Sequence, residues 1–289
     1  MRHITFRDAT AIVQLIFYMI YLAAGVFLCY KHGWRRGGGW FIIVVFSFLR
    51  IIGALFEIVA ISYPARSVYA GVLVIESIGI APLIGISAGM LARLNKYLYR
   101  PIRRVVFSLR LATGLAGIVV ASVSASVPTP LNSPSPFVAN HLTKAASVIF
   151  AAELIVTELM LLAMIIHHTP IPRVGMCLLY SVAACSPFVA ARIIYGLLFA
   201  FSSDPRFNIL VGSTLIYFFL SVLPQLIAVG ISIIAGFHLP KTPKLWAPRR
   251  MDESMALKLF LLNLPFIIGI LPLLLYAIIS IMIFELPIA

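Results

Sequence analysis

The chain has 289 residues, of which 62% are hydrophobic and 11% charged, and a formal charge of +13. Soluble domains run nearer half apolar and a quarter charged, so this composition excludes a water-covered globule. It requires lipid to cover the outer surface. The basic excess sits in short loops between apolar runs, which fits membrane orientation and anionic lipid, not nucleic acid.

The sequence predicts an all-α, polytopic bundle of seven to eight transmembrane helices. Apolar runs follow in order over residues 9–30, 40–61, 68–91, 105–127, 142–167, 174–201, 209–237 and 256–286. A span needs about 20 apolar residues, and the first seven runs meet that plainly. The eighth holds Pro265 and Pro272 and reads as one kinked span or a re-entrant pair. Residues 1–237 therefore form the expected seven-helix bundle. Residues 238–255 make a basic, proline-broken linker, and 256–289 an additional hydrophobic helix.

Lys and Arg crowd into alternate loops, at 31–36, 93–104 and 241–250. The positive-inside rule places these loops in the cytoplasm and the N-terminus outside or in a lumen. The first run is too long for a signal peptide and reads as a retained helix. Cys29, Cys177 and Cys185 fall in or beside the spans, which argues against a disulfide framework.

Ionisable residues inside the spans are the unusual feature. Each costs roughly 2.5–3.5 kcal/mol at a helix centre unless it faces the bundle interior and finds a partner. The second span carries Arg50 and Glu57, the third Glu76, the fifth Glu153 and Glu158, and the sixth Arg192. Arg50, Gly53, Ala54 and Glu57 fall at i, i+3, i+4 and i+7. They make one stripe of two charges and two small residues, suited to a close neighbour. Arg192, Tyr195, Gly196 and Phe199 repeat that spacing in the sixth span. Ser213, Tyr217, Ser221 and Gln225 step by four in the seventh, where Pro224 is expected to kink the helix and free a carbonyl.

Depth puts Glu57, Glu76, Glu153 and Arg192 in the outer half or near the midplane, within reach of one outward-opening cavity. An Arg192–Glu153 pair is the first expectation, because their helices are sequence neighbours. Four Glu against two Arg leaves carboxyls without a counter-ion, and such groups hold protons in a low-dielectric site. The candidate proton donors are Glu57, Glu76 and Glu153. The candidate ligand-binding residues are Arg50, Glu158, Arg192, Tyr195, Tyr217 and Gln225. The plain alternative is that these buried pairs only fix helix register. No metal is expected, since the spans lack the clustered carboxylates that magnesium-dependent prenyl transfer needs. No nucleotide loop or other cofactor motif occurs, and no cofactor is expected.

Two segments carry a family likeness: residues 48–57, FLRIIGALFE, and residues 187–208, PFVAARIIYGLLFAFSSDPRFN, followed by Gly212 and Ser213. With the seven-helix spacing, they resemble a fungal family of multi-pass membrane proteins of unknown function. The chain is more distantly similar to the fungal lipid-translocating exporter family. The resemblance covers residues 9–237 and implies a fungal source, a small lipophilic ligand and a setting in secondary metabolism. It supplies no catalytic residues.

Three functions remain open. One is a protein of the endoplasmic reticulum or plasma membrane that holds a small hydrophobic or amphipathic molecule in a Glu/Arg-lined cavity. The second is a membrane-embedded, acid-catalysed cyclase or isomerase of terpene-cyclase type. The third is a seven-helix receptor, against which stands the absence of an Asp-Arg-Tyr or Asn-Pro-x-x-Tyr motif.

Overall fold

The computed structural model describes residues 6–34, 38–63, 66–95, 114–120, 141–166, 173–202, 204–210 and 212–239. All regular structure among them is helical. The elements are α1 (Phe6–His32), α2 (Gly38–Ser62), α3 (Arg66–Ile78), α4 (Ile80–Leu94), α5 (114–120), α6 (His141–Ile166) and α7 (Arg173–Phe201). A short 3-10 turn, Pro205–Phe207, leads to α8 (Thr214–Tyr217), a π-turn at Phe218–Val222, and α9 (Leu223–His238). Most of the expected linker and the whole of the expected helix 256–289 lie outside the described residues.

Six helices among the described residues are long and apolar enough to cross a membrane: Phe6–His32, Gly39–Ser62, Val68–Leu94, His141–Ile166, Gly175–Phe201 and Thr214–His238. The chain is thus an integral, multi-pass membrane protein. These helices match six of the eight expected runs, and α5 lies inside a seventh. At a rise of about 1.5 Å per residue each exceeds the roughly 30 Å hydrocarbon core. Their apolar content drives them into lipid, and their outward faces remain exposed and apolar, as at Phe17, Ile20, Phe27, Ile155, Leu159 and Phe219.

The third span is the central one. It is broken once, at Gly79, into α3 and α4, and 78% of its apolar window is buried inside the protein. Helix α2 packs along both halves, and α6, α7 and α9 pack against α4. Small residues permit this closeness. A Cβ on Gly53 of α2 would stand 3.0 Å from Ile75 Cγ2 on α3, and one on Gly196 of α7 would stand 3.6 Å from Ile80 Cδ1. Both glycines are members of the stripes read from the sequence. The three cysteines are free.

At the end of the bundle that carries Lys31, two α1 side chains close the C-terminus of α9. Lys31 Nζ donates to the Phe237 carbonyl at 2.8 Å, and a ring nitrogen of His32 stands 3.1 Å from the Gly236 carbonyl. These are the carbonyls that a helix end leaves without partners. His32 also stacks on Trp40, whose ring lies under Arg93 at 5.4 Å. A Cβ on Gly236 would fall 2.8 Å from Leu28 Cδ1 and 2.9 Å from two carbons of the fully buried Trp40 ring. Gly236→Ala should therefore cost about 1–3 kcal/mol by overpacking, read as a lower thermal midpoint in detergent. Gly85→Ala is the control. Its Cβ meets Ile42 at 3.4 Å, an ordinary contact, and its midpoint should stay within error of the wild type.

Candidate functional site

The site is built from four elements around Glu76. This residue lies in the last turn of α3, three residues before the break at Gly79, and its side chain is almost wholly buried. Arg50 on α2 forms an ion pair with Glu76 Oε1. Arg192 on α7 pairs with Glu76 Oε2 at 3.0 Å, and the same Nη2 reaches the Glu76 carbonyl at 3.0 Å. One carboxylate thus holds two guanidinium groups, and all three side chains are nearly inaccessible. The break at Gly79 leaves space for the guanidinium of Arg50. A Cβ there would stand 3.0 Å from Nη2 and 3.2 Å from Cζ.

Tyr217 on α8 connects this triad to Glu57. Its hydroxyl lies 3.1 Å from Glu76 Oε1 and 3.1 Å from Glu57 Oε1. The ring of Tyr195 packs beside that of Tyr217 at 6.1 Å, and Arg192 lies 5.9 Å from the centre of the Tyr195 ring. Below Tyr217, Leu223 donates its amide to the Phe218 carbonyl, five residues back, and Pro224 follows in the first turn of α9. Where a kink at Pro224 was expected, the helix takes a π-turn just before the proline. Such turns are rare and often mark functional places. Helix α8 begins only at Thr214, with Ser213 as its cap. Residues 204–210, 212 and 213, expected partly within the span, instead form a loop closed by Ser213 N to Arg206 O at 2.9 Å.

A cavity of about 160 Å³ adjoins the Glu57 end of this network. Its walls include Arg7 and Asp8 of α1, Glu57 of α2, Tyr69 and Val72 of α3, and Leu210 of the loop. Arg7 is held in place by the Ile209 and Leu210 carbonyls, to which it donates, and its guanidinium lies 5.6 Å from the centre of the Tyr217 ring.

The structure therefore gathers Arg50, Glu57, Glu76, Arg192, Tyr195 and Tyr217 from the expected set. The remaining candidates lie elsewhere. The expected Arg192–Glu153 pair does not form, because Arg192 turns to Glu76 on the central helix. Glu153 is buried on another face of α6, against Gly114 of α5, where a Cβ would stand 3.0 Å from Oε1. Glu158 is half-buried on α6 and makes no hydrogen bond or ion pair with the cluster. Gln225 is buried but donates locally to Ser221 Oγ at 3.2 Å. Sequence reasoning missed Arg7, Asp8 and Tyr69. A signal for Arg7 was present: Arg7, Ala11, Gln14 and Tyr18 follow i, i+4, i+7 and i+11, and the last three are buried on α1.

No curated protein and no solved structure matches the chain. Residues 4–242, which span every described helix, match one family, and the chain belongs to it: DUF7702, a domain of unknown function.

Proposed function

We propose that this membrane protein binds a small amphipathic molecule, polar head first, in the cavity at Glu57. The observation that carries the reading is the state of that carboxyl. Glu57 forms part of the cavity wall, one oxygen is held by Tyr217, and the other, Oε2, is buried without a hydrogen-bond partner. A buried acceptor left unmatched costs about 1–3 kcal/mol. The hydroxyl or amine donor of an occupant would remove that cost. The Arg50–Glu76–Arg192 triad behind Tyr217 holds α2, α3 and α7 in register.

Size favours a head group over a whole polyprenyl chain. A water takes about 30 Å³ in the liquid, and drug-sized ligands occupy pockets of roughly 300–1,000 Å³. The cavity of about 160 Å³ suits a polar head with a few carbons, the tail being left to the surrounding lipid. This supports a binding protein or carrier ahead of a cyclase. On the likeness carried by residues 48–57 and 187–208, the ligand is a lipid or a pathway intermediate in a fungal membrane, of the endoplasmic reticulum or the cell surface.

The test uses hexanol and hexylamine as probes on purified protein in lipid nanodiscs. At least one should raise the thermal midpoint of the wild type. Glu57→Gln, which keeps the shape of the side chain, should lose most of that rise. A wild type indifferent to both probes, or a Gln variant that responds equally, would defeat the reading.

A further inference from the structure

The Tyr217 hydroxyl has one hydrogen, yet it stands 3.1 Å from a carboxyl oxygen on each side. A phenol donates once, so two ionised carboxylates cannot both be satisfied by it. The two oxygens are also no more than about 6 Å apart, and like charges so close in a low-dielectric interior do not both ionise readily. Both carboxyls are served when one of them carries a proton. Glu76 is the ionised one, since each of its oxygens takes an arginine. Glu57 has no ion pair among the described residues.

Of the charged and titratable groups facing Glu57, the acids fit this assignment, and the positive charges of Arg7 and Arg50 work against it. From α3, Glu76 repels its charge, and Tyr69 stands in the cavity wall. From α8, Tyr217 offers a hydrogen that Glu76 also needs. On its own helix Arg50 is committed to Glu76, and behind it Arg192 of α7 is committed likewise. From α1, Asp8 is a second acid in the cavity wall, and Arg7 donates to the Ile209 and Leu210 carbonyls.

We infer that Glu57 is a proton-exchange site: it rests as a carboxylic acid and gives up that proton when the ammonium head of a primary-amine amphiphile enters the cavity. This rests on the binding reading above and narrows its ligand class. The exchange balances. The proton leaves the Glu57 carboxyl for water, the carboxylate left behind takes an N–H from the ammonium, and the charge of the buried cluster is unchanged. A neutral alcohol can meet the Glu57 carbonyl oxygen but releases nothing. Net charge would otherwise rise by one on every amine bound, which a low-dielectric site resists.

The experiment is calorimetric titration of hexylamine and hexanol into the full chain in nanodiscs at neutral pH, in two buffers of different ionisation enthalpy. The expected result is one proton released per hexylamine bound and none for hexanol. Infrared difference spectra of the wild type should show a carboxylic-acid carbonyl band that disappears on adding hexylamine. Glu57→Gln should lack that band and bind hexylamine roughly ten- to a hundredfold more weakly, the worth of a charge-assisted hydrogen bond. Hexylamine binding without proton release, or with the band unchanged, would overturn the exchange while leaving the binding reading intact. Hexanol binding alone would also overturn it. Binding of neither probe would overturn both.

Discussion

Glu76→Gln is expected to be the most damaging conservative change in the protein, costing about 3–5 kcal/mol, the usual loss when one partner of a buried ion pair is removed. Gln keeps the size of the side chain but leaves Arg50 and Arg192 as two buried cations without their counter-ion. Among the described residues Glu76 is the one carboxylate that either arginine pairs with. Nε and Nη2 of Arg50, and Nε and Nη1 of Arg192, already lack hydrogen-bond partners. The loss thus arises from stranded charge and not from the worth of the pair itself, and a second variant separates the two. Removing all three charges together, with Arg50→Met, Glu76→Leu and Arg192→Met, takes away the stranded cations as well as the bridge. That triple variant should be more stable than Glu76→Gln alone. Thermal midpoints in one detergent decide the matter. A Gln variant within about 1 kcal/mol of wild type would mean that the triad does not hold α2, α3 and α7 together, and a triple variant less stable than the single would mean that the loss is not one of stranded charge.

The parts of this site that were legible in the sequence are those set by local periodicity. Arg50, Gly53, Ala54 and Glu57 share a face because a helix repeats every 3.6 residues, and the structure turns that face to α3, with Gly53 against Ile75. Tyr217 and Ser221 were legible as buried in the same way. Partner choice was not, because it depends on which helix is central. Sequence neighbours suggested Glu153 for Arg192. The decisive fact is that the α3–α4 span runs between α2 and α7, so one carboxylate at its break meets arginines from both sides. No local pattern marks Gly79 as the seat of a guanidinium, since what fills the space comes from another helix. Arg7 was hidden differently. Near the end of a span it reads as an orientation charge, although it shares a face with buried Ala11, Gln14 and Tyr18. The π-turn also leaves little trace, because Pro224 signals a disturbed helix without saying which disturbance.

Gly212→Ala should open the cavity from the side of the loop, at a cost of about 1–3 kcal/mol or more for forced overpacking. A Cβ at this position would stand 2.4 Å from the Asn208 carbonyl oxygen, 2.5 Å from that of Arg206 and 2.8 Å from the Asn208 nitrogen. All three are backbone atoms, so no rotamer change can relieve the contact, in contrast to a glycine that meets only the tip of a side chain. The same two carbonyls are the acceptors that close the loop, from Gly212 N to Asn208 O and from Ser213 N to Arg206 O, each at 2.9 Å. Moving them loosens residues 204–210, and with them the Ile209 and Leu210 carbonyls that hold Arg7 over Tyr217. The damage should therefore pass from the loop to the Glu57 cavity, although Gly212 is no part of its wall. Arg7→Gln supplies the comparison, because it releases the same carbonyls without straining the loop. Both variants should reduce the thermal response to the bound probe, and only Gly212→Ala should also lower the midpoint of the unliganded protein by the larger amount. An alanine variant with both its unliganded midpoint and its probe response intact would show that the loop tolerates a Cβ, and that it does not set the shape of the pocket.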